Sequence, residues 1–394
     1  MTAVASGKPA IDVCIVMHGP LGRDTRVLNE ARSLAASGLN VVVVAVSVSG
    51  DVPSDEDEAP PFRIVNVVPR LGRSRLPGTG GKLLRLALAL PELRRTLRRI
   101  GARAYHAQKF VALGLVALAG IAPRLVVYDS RELFFDQWPP GTPYPLKHVI
   151  GLLRPWERRL ARRANAVIAE SPEIAGRLVA TLDIASPTLV LNSVDLRHQA
   201  PPAAVFPSVG RVRVAHTGSL VPGRHLVEIV GALAHLPAEV GLVLMGEGPL
   251  HAVLAREAER SGVASRVAFI PFVPPAAVAP TVAQADAALV LVQSAGAHYD
   301  LTLPNKLFEA IAAGLPVVGS ATTALKRMVT EHGLGVVCDP TDPRSIAKAI
   351  AVVTGPEAPR YRANVRRAAA QFNWEADERR LLDLYAALFS RASR

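Results

Sequence analysis

The chain has 394 residues, more than one hydrophobic core usually holds, so its length predicts two domains. Hydrophobic residues make up 50% of it, which excludes a mainly disordered protein. Its 45 basic and 33 acidic residues leave a net charge of +12, which favours an anionic partner without identifying one.

The few cysteines and the lengths of the apolar runs exclude further classes. Cys14 and Cys338 both lie in apolar runs, which argues against a disulfide scaffold and a cysteine zinc site. The most apolar stretch, residues 110–123, is shorter than the ~18–20 residues of a membrane-spanning helix. No signal-peptide pattern opens the sequence. We therefore expect a cytoplasmic protein, with peripheral attachment to the inner face of a membrane left open.

The first half alternates short β-branched runs with longer runs of helical period, which indicates parallel α/β architecture. A buried strand at 12–17 is followed by a loop at 18–24, an amphipathic helix and a strand at 41–46. Residues 50–61 form an acidic, proline-bounded surface loop. We expect further strands at 63–68, 103–106, 124–128 and 165–169.

The second half repeats this opening. Residues 198–210 are rich in proline and small residues, and we interpret them as a linker. A strand at 212–216, a glycine-containing loop at 217–224, a helix and a strand at 240–245 follow. The repetition predicts two Rossmann-like domains with the ligand in a cleft between them. One such domain beside an unrelated partner is the alternative.

The most informative stretch is 303–318. Pro304 and Asn305 open a helix that ends at Gly314, and a strand follows at 316–318. A helix N-terminus offers free N–H groups to an anion, and Lys306 in the first turn adds a positive charge. Glu309, one turn on, can accept hydrogen bonds from sugar hydroxyls. Alternatively, this is an ordinary helix start with two solvated charges.

This stretch resembles the donor-site signature of family 4 glycosyltransferases, in the branch with a PNKLFE-type motif. Further segments resemble that family in order along most of the chain: 22–45, 105–108, 126–133, 156–174, 216–226, 244–249 and 269–275. The resemblance implies a GT-B fold and retaining transfer of a sugar to a hydroxyl-type acceptor. A nucleotide-diphosphate sugar is then the co-substrate, with no cofactor and no metal requirement.

The resemblance also implies roles for residues. Arg224 and Lys306 contact the donor diphosphate as catalytic groups, and Glu309 holds the ribose hydroxyls. The remaining donor-site residues are Gly218, Gly246, Glu247, Phe272, Val273, Leu303, Pro304, Asn305 and Leu307. His106 and Asp129 are candidates for orienting the acceptor. The alternative is a structural role, which is the more common one for a lone histidine. The loop near the sugar and acceptor contributes His18, Gly19, Gly22 and Arg131.

Three positions depart from the family pattern. Leu301 stands where a first glutamate is common, Pro304 replaces a small residue, and Arg131 stands where relatives often have histidine. Leu301 cannot bind sugar hydroxyls as a carboxylate would, which suits a deoxysugar donor. The departures also keep open a catalytically silent GT-B protein that binds a nucleotide sugar or supports a partner enzyme.

We expect an N-terminal acceptor domain at 1–200 and a donor domain at 201–373, with the helix 374–394 packing back on the first. Residues 82–103 and the arginines at 154–163 are basic, and they either contact an anionic membrane or form solvated helix faces. Nucleic-acid binding is excluded as a main function, since no recognition motif occurs and aromatic residues are only 5%.

Overall fold

The computed structural model describes residues 10–19, 21–46, 61–68, 78–121, 125–137, 151–293 and 296–392. Backbone contacts divide the chain into two compact units. The first unit comprises Met1–Phe135, Gly141–Val190 and Glu378–Arg394, and the second comprises Asp136–Pro140 and Leu191–Asp377. The chain therefore passes from the first unit to the second between Val190 and Leu191, ten residues before the predicted boundary at residue 200.

The first unit is built on a parallel sheet in the order β3-β2-β1-β4-β5-β6-β7. Its strands are β1 (Val13–His18), β2 (Val41–Val46), β3 (Arg63–Val67), β4 (Ala104–Gln108), β5 (Leu125–Asp129), β6 (Ala166–Ala169) and β7 (Thr188–Leu189). Its described helices are α1 (Thr25–Ala36), α2 (Gly78–Ile100), α3 (Lys109–Leu118), α4 (Arg154–Ala161) and α5 (Pro172–Leu182). Strand β1 lies in the middle of the sheet. Strands β2 and β3 are added on one side of it and β4 to β7 on the other, so the order of addition reverses beside β1, as in a Rossmann fold.

The second unit repeats this topology with a parallel sheet in the order β10-β9-β8-β11-β12-β13. Its strands are β8 (Val212–Thr217), β9 (Val240–Met245), β10 (Val267–Ile270), β11 (Ala287–Val290), β12 (Val317–Ser320) and β13 (Gly335–Cys338). Its helices are α6 (Leu226–Ala232), α7 (His251–Arg260), α8 (Pro275–Val282), α9 (Ala297–Leu301), α10 (Asn305–Ala312), α11 (Thr323–Glu331), α12 (Pro343–Thr354) and α13 (Ala358–Ala369). The prediction of two Rossmann-like domains is confirmed.

Continuous apolar runs form the central strands because helices cover the sheets on both faces. Every residue of β2 and of β9 is buried. Cys14 and Cys338 are free buried thiols, and desolvation raises the pKa of Cys338 to about 12. Their burial agrees with the prediction that neither cysteine belongs to a disulfide scaffold.

The last helix, α14 (Trp374–Ala392), crosses from the second unit to the first. Trp374 is buried and donates its backbone N–H to the Val194 carbonyl. Further along, Tyr385 is buried in the first unit and its hydroxyl lies 3.0 Å from His106 Nδ1. This end of the helix thus contributes a side chain to the core of the first unit.

The predicted linker at 198–210 belongs to the second unit. Phe206 is buried in that unit's core, and its backbone N–H donates to the Gln284 side chain. Thr281 accepts a hydrogen bond from the Ala203 backbone in the same way. Proline-rich composition suggested a flexible connection, whereas these contacts fix the segment. Residues 50–60 of the predicted acidic loop lie outside the described residues.

The carboxyl ends of the two central strands are built alike. Gly19 follows β1 with a φ of 100°, and Gly218 follows β8 with a φ of 108°, a region that glycine adopts without strain. Each glycine donates its N–H to the end of the neighbouring strand, at Val46 and at Met245. A Cβ at either glycine would meet no atom within 4 Å. The chain therefore turns sharply here and leaves open space at the edge where such folds bind ligands.

None of the described helices combines the length and the hydropathy required to cross a lipid bilayer.

Candidate functional site

Helix α10 of the second unit begins with two polar residues, Asn305 and Lys306, between buried leucines. Leu303 and Leu307 are buried on either side of the start and fix its position. Pro304 is extended at φ −71° and ψ 146°, and no side chain caps the helix. Asn305 is exposed in the first turn. The first backbone N–H groups of α10 are therefore available to an anion, as predicted from the sequence.

Lys306 is half-buried at this helix start, and its Nζ lies 3.3 Å from Nε2 of His216 in β8. Desolvation, and then the nearby charge of Arg224, lower the pKa of Lys306 to about 7, although Glu309 opposes the shift. Desolvation also lowers the pKa of His216 well below its usual value, helped by Lys306 and Arg224. The His216 imidazole is thus neutral, and the basic side chains of Lys306 and Arg224 lie close to each other beside it.

Arg224 is half-buried in the loop before α6, and no carboxylate of the described residues forms an ion pair with its guanidinium. The next residue, His225, has a φ of 52°, which is strained for a side chain other than glycine. Gly223 accepts a hydrogen bond from the Gln293 backbone, and a Cβ on it would lie 2.6 Å from the Gln293 side chain. Close packing therefore holds this loop in a conformation that keeps the arginine beside Lys306.

Glu309 lies one turn after Lys306 and is held by Thr217, the last residue of β8. The Thr217 hydroxyl donates to Glu309 Oε2 at 2.6 Å. Desolvation raises the pKa of Glu309, and this hydrogen bond and Lys306 oppose the shift. One carboxylate oxygen is thereby fixed. The other carboxylate oxygen accepts no hydrogen bond from the described residues, so it can accept one from a ligand hydroxyl.

The backbones of the loops that follow β8 and β9 lie in close contact. A Cβ on Gly246 would lie 2.1 Å from the Gly218 carbonyl oxygen, so only glycine fits there. Leu220 donates its N–H to the Glu247 carbonyl at 2.8 Å, while the Glu247 side chain is exposed. The structure thus brings Gly218, Gly246 and Glu247 to the carboxyl ends of neighbouring strands, where the sequence predicted them.

Phe272 and Val273 follow β10 at the edge of the same sheet. Phe272 is 55% exposed, whereas Val273 is 5% exposed and packs into the core. Leu301, the departure noted in the sequence, ends α9 and is half-buried. These residues lie at the correct edge of the sheet, and their contact with a ligand stays a prediction.

Sequence reasoning missed His216 and Thr217 as contributors to this site. Both are at the end of β8, where a polar pair interrupts the apolar pattern directly before Gly218. A buried polar pair at the carboxyl end of a central strand was the available signal, because such positions face the ligand edge of the sheet.

In the first unit, His106 and Asp129 lie in a buried cluster. Both side chains have 0% exposure. Arg26 on α1 donates to both oxygens of Asp129, at 2.8 and 3.0 Å, and to the Val190 carbonyl at 2.7 Å. Neither His106 nor Asp129 reaches the surface. Their contacts hold elements of the first unit together, and their predicted contact with an acceptor stays a prediction.

Glu30, Gln108 and Tyr385 complete this cluster. The Gln108 amide nitrogen donates to Glu30 at 2.5 Å and lies 3.2 Å from His106 Nε2. Desolvation, and then the charge of Asp129, raise the pKa of Glu30 to about 7 against the effect of Arg26. Desolvation also acts to raise the pKa of Asp129, but there the charge of Arg26, helped by His106, outweighs it and the pKa is lowered.

Possible metal ligands occur in the same cluster. Ligand atoms of Glu30, His106 and Asp129 lie within 4.8 Å of one another. Both Asp129 oxygens already accept hydrogen bonds from Arg26, whose guanidinium also lies 3.1 Å from Glu30. The arrangement is therefore an ion-pair cluster in which arginine supplies the cation.

The remaining predicted loop residues lie at the carboxyl edge of the first sheet. His18 ends β1, and Gly19 makes the turn after it. Gly22 lies in a single helical turn and has no close neighbour, so its backbone does not require glycine. Arg131 lies 2.6 Å from Asp24, which also caps α1 through the Val27 N–H. Their contact with sugar or acceptor stays a prediction.

Comparison with known proteins gives matches to both units. A family model described as "Glycosyltransferase Family 4" matches residues 22–198, and one described as "Glycosyl transferases group 1" matches residues 211–354. D-inositol 3-phosphate glycosyltransferase of Xylanimonas cellulosilytica is 30% identical over 271 residues, which are 63% of this chain and 62% of that protein. The chain thus aligns with less than two thirds of that relative's length.

Solved structures match over nearly the whole chain. Sucrose-phosphate synthase from Thermosynechococcus elongatus has a TM-score of 0.76 at 18% identity, covering 97% of this chain and 100% of its own. Anabaena HepE, in complex with UDP and glucose, has a TM-score of 0.69 at 18% identity, covering 96% and 100%. At such identities the likeness concerns the fold.

The ion pair between Arg26 and Asp129 gives a first prediction. Asp129→Asn leaves a buried guanidinium without its counter-charge and should lower the free energy of unfolding by about 3–5 kcal/mol. The control is Asp183→Asn, which breaks an exposed pair with Arg158 and should cost less than about 1 kcal/mol. Denaturant midpoints measure both. Equal shifts in the two variants would contradict a structural role for the cluster.

Lys306 gives a second prediction. Between about pH 7 and its usual pKa of 10.5, the unfolded chain binds more protons at this residue than the folded one, so stability rises with pH. Lys306→Met should therefore raise the free energy of unfolding at pH 7 by about 1 kcal/mol or more, and the gain should shrink towards pH 10. Lys326→Met, at an exposed position, is the control. Denaturation across this pH range checks it, and a destabilised Lys306→Met protein at pH 7 would overturn it.

Proposed function

The chain belongs to glycosyltransferase family 4, with the GT-B architecture of two Rossmann-like domains, and from this premise we propose that it transfers a sugar from a nucleotide-diphosphate donor to an acceptor hydroxyl. The observation that carries the proposal is the pair Lys306 and Arg224 at the uncapped start of α10. Two neighbouring cations without full neutralisation favour a ligand that brings several negative charges.

The diphosphate occupies the start of α10 in this proposal. Its oxygens accept hydrogen bonds from the first N–H groups of the helix, while Lys306 and Arg224 neutralise its charge. Desolvation, and then the charge of Arg224, lower the lysine pKa, and a bound anion opposes both effects by its negative charge, so the bound state keeps Lys306 protonated. The same groups stabilise the negative charge that develops on the leaving diphosphate during transfer.

The nucleoside lies beside Glu309 in this proposal. The carboxylate oxygen that Thr217 leaves unused accepts hydrogen bonds from the ribose hydroxyls, and Thr217 keeps the group oriented. Phe272 and Val273 offer backbone groups to the nucleobase. The binding of UDP by HepE, a protein of the same fold, supports a nucleotide donor here.

We propose transfer with retention at the anomeric carbon, which family membership favours. The acceptor hydroxyl attacks from the side of the leaving diphosphate and passes its proton to a phosphate oxygen, so no protein base is required. This step does not use His106 or Asp129, whose side chains are fully buried. Their cluster fixes α1, β4 and β5 of the first unit.

We also propose peripheral contact with an anionic membrane through α4. An open groove of about 720 Å³ there is lined by Pro155, Trp156, Arg158, Arg159, Arg162 and Arg163. Leu152 and Leu153 directly precede the helix with 70% and 40% exposure. Exposed leucines beside arginines suit the boundary between headgroups and acyl chains, where each basic residue contributes ~1 kcal/mol. An acceptor held in a lipid layer fits this surface.

Ligand binding tests the donor site. Lys306→Met and Arg224→Ala should each weaken binding of both inorganic pyrophosphate and nucleoside diphosphates, and lower turnover by ~10²-fold. Glu309→Gln should weaken only the nucleoside diphosphates, because it loses a ribose contact but no phosphate contact. Calorimetry measures affinities after a thermal-shift panel of UDP, GDP, dTDP and ADP has selected the nucleotide.

Lys326→Met is the control for these variants, since it removes an exposed lysine of the same unit. If Glu309→Gln weakened pyrophosphate and nucleotide equally, the ribose assignment would be wrong. Retention of wild-type affinity by both Lys306→Met and Arg224→Ala would contradict the site as a whole. Binding without transfer of any activated sugar would favour a catalytically silent protein instead.

Vesicle co-sedimentation tests the membrane surface. Arg159→Glu combined with Arg163→Glu should reduce binding to phosphatidylserine-containing vesicles about tenfold or more at low salt. Binding to phosphatidylcholine vesicles should be weak in both proteins. Arg360→Glu, a charge reversal at an exposed site in the second unit, is the control. If wild-type protein stays in solution with anionic vesicles, membrane contact through α4 is excluded.

A further inference from the structure

His216 is a polar residue in the centre of an apolar sheet. It lies in β8, between β9 and β11, and its side chain has no exposed surface. Across from it in β9 is Leu244. A buried imidazole costs free energy unless its polar atoms are paired, so an aliphatic residue would suit this position better on stability grounds alone.

The contact that His216 makes with Lys306 accounts for its presence. Nε2 of the imidazole lies 3.3 Å from Lys306 Nζ, and an ammonium can only donate. When Lys306 carries its proton, as it does beside a bound anion, Nε2 is therefore the acceptor and the ring proton is on Nδ1. The charged groups near the ring are Lys306 and Arg224, and both disfavour a second proton on it.

A neutral acceptor has an advantage over an acidic one at this place. A carboxylate in the position of His216 would orient the lysine but would also cancel its charge. The imidazole restricts the ammonium to one direction and leaves the positive charge available to an anion. Thr217, the next residue, orients Glu309 in the same manner through its hydroxyl. Two consecutive residues of one strand thus fix two side chains of α10.

We propose that His216 is a positioning residue for the donor diphosphate, aiming the Lys306 ammonium at the phosphates through a hydrogen bond to neutral Nε2. The inference rests on the proposed function, because it assigns Lys306 to the diphosphate. It adds to that function a residue that never touches the substrate and acts through another side chain.

Two substitutions separate positioning from mere packing. His216→Leu keeps an apolar side chain suited to the sheet but removes the acceptor. His216→Gln places the amide oxygen of glutamine, also a hydrogen-bond acceptor, about where Nε2 was. We expect His216→Leu to weaken pyrophosphate binding about tenfold or more, the usual effect of losing a hydrogen bond to a charged group, and His216→Gln to restore much of it. His235→Leu, at an exposed position, is the control.

The outcomes distinguish this inference from the proposed function. If wild-type protein binds neither pyrophosphate nor any nucleoside diphosphate, the donor site is wrong and the role of His216 is wrong with it. If wild-type protein binds and His216→Leu binds equally well, only the role of His216 is overturned. Equal weakening by the leucine and glutamine variants also overturns it, since packing and not hydrogen bonding would then explain the loss.

A spectroscopic measurement decides the matter even if the His216 variants fold poorly. In wild-type protein labelled with ¹⁵N-histidine and saturated with pyrophosphate, so that Lys306 is charged, we expect a neutral His216 ring protonated at Nδ1, with the Nε2 resonance of a hydrogen-bonded acceptor. Lys306→Met should shift that Nε2 resonance towards that of a free acceptor. A ring protonated at Nε2 in pyrophosphate-bound wild-type protein, or an unchanged resonance in the variant under the same conditions, contradicts the proposal.

Discussion

Lys306 and Arg224 are two half-buried basic side chains that lie close together, and the packing of the second unit around them holds them in this arrangement. The lysine stands on a helix whose start is anchored by buried leucines, and the arginine stands in a loop strained at His225. Burial and mutual repulsion favour loss of the lysine proton, which lowers its pKa to about 7. The folded protein therefore holds an unfavourable charge arrangement that an anionic ligand can relieve.

In the first unit, by contrast, the buried positive charge is already paired within the protein. Arg26 is buried among Asp129, Glu30 and the Val190 carbonyl, so its positive charge is satisfied within the protein. Such a cluster contributes little net stability, since desolvation offsets the attraction, but losing one partner is costly. The two sheets share a topology and a glycine turn after the central strand. They differ in whether the charges near the carboxyl edge are already paired or await a ligand.

Pattern alone predicted the two Rossmann-like domains and the anion-binding helix start, because apolar runs, glycine turns and the Pro304–Asn305 helix signal are local features. What sequence could not show were contacts between distant residues. His106 and Asp129 are polar residues at the ends of adjacent strands, as active-site residues often are, and only the fold reveals that Arg26 and Tyr385 bury them. His216 passed unnoticed because its partner lies ninety residues away in the chain.

Proton uptake on ligand binding tests the central claim most directly. Calorimetry of pyrophosphate binding at pH 8, in buffers of different ionisation enthalpy, gives the number of protons taken up with the anion. If Lys306 is largely unprotonated in the free protein and recharged beside the phosphates, wild-type protein should take up about one proton more than Lys306→Met, in which only the titration of pyrophosphate itself contributes. Equal proton exchange by the two proteins on binding pyrophosphate would contradict the account.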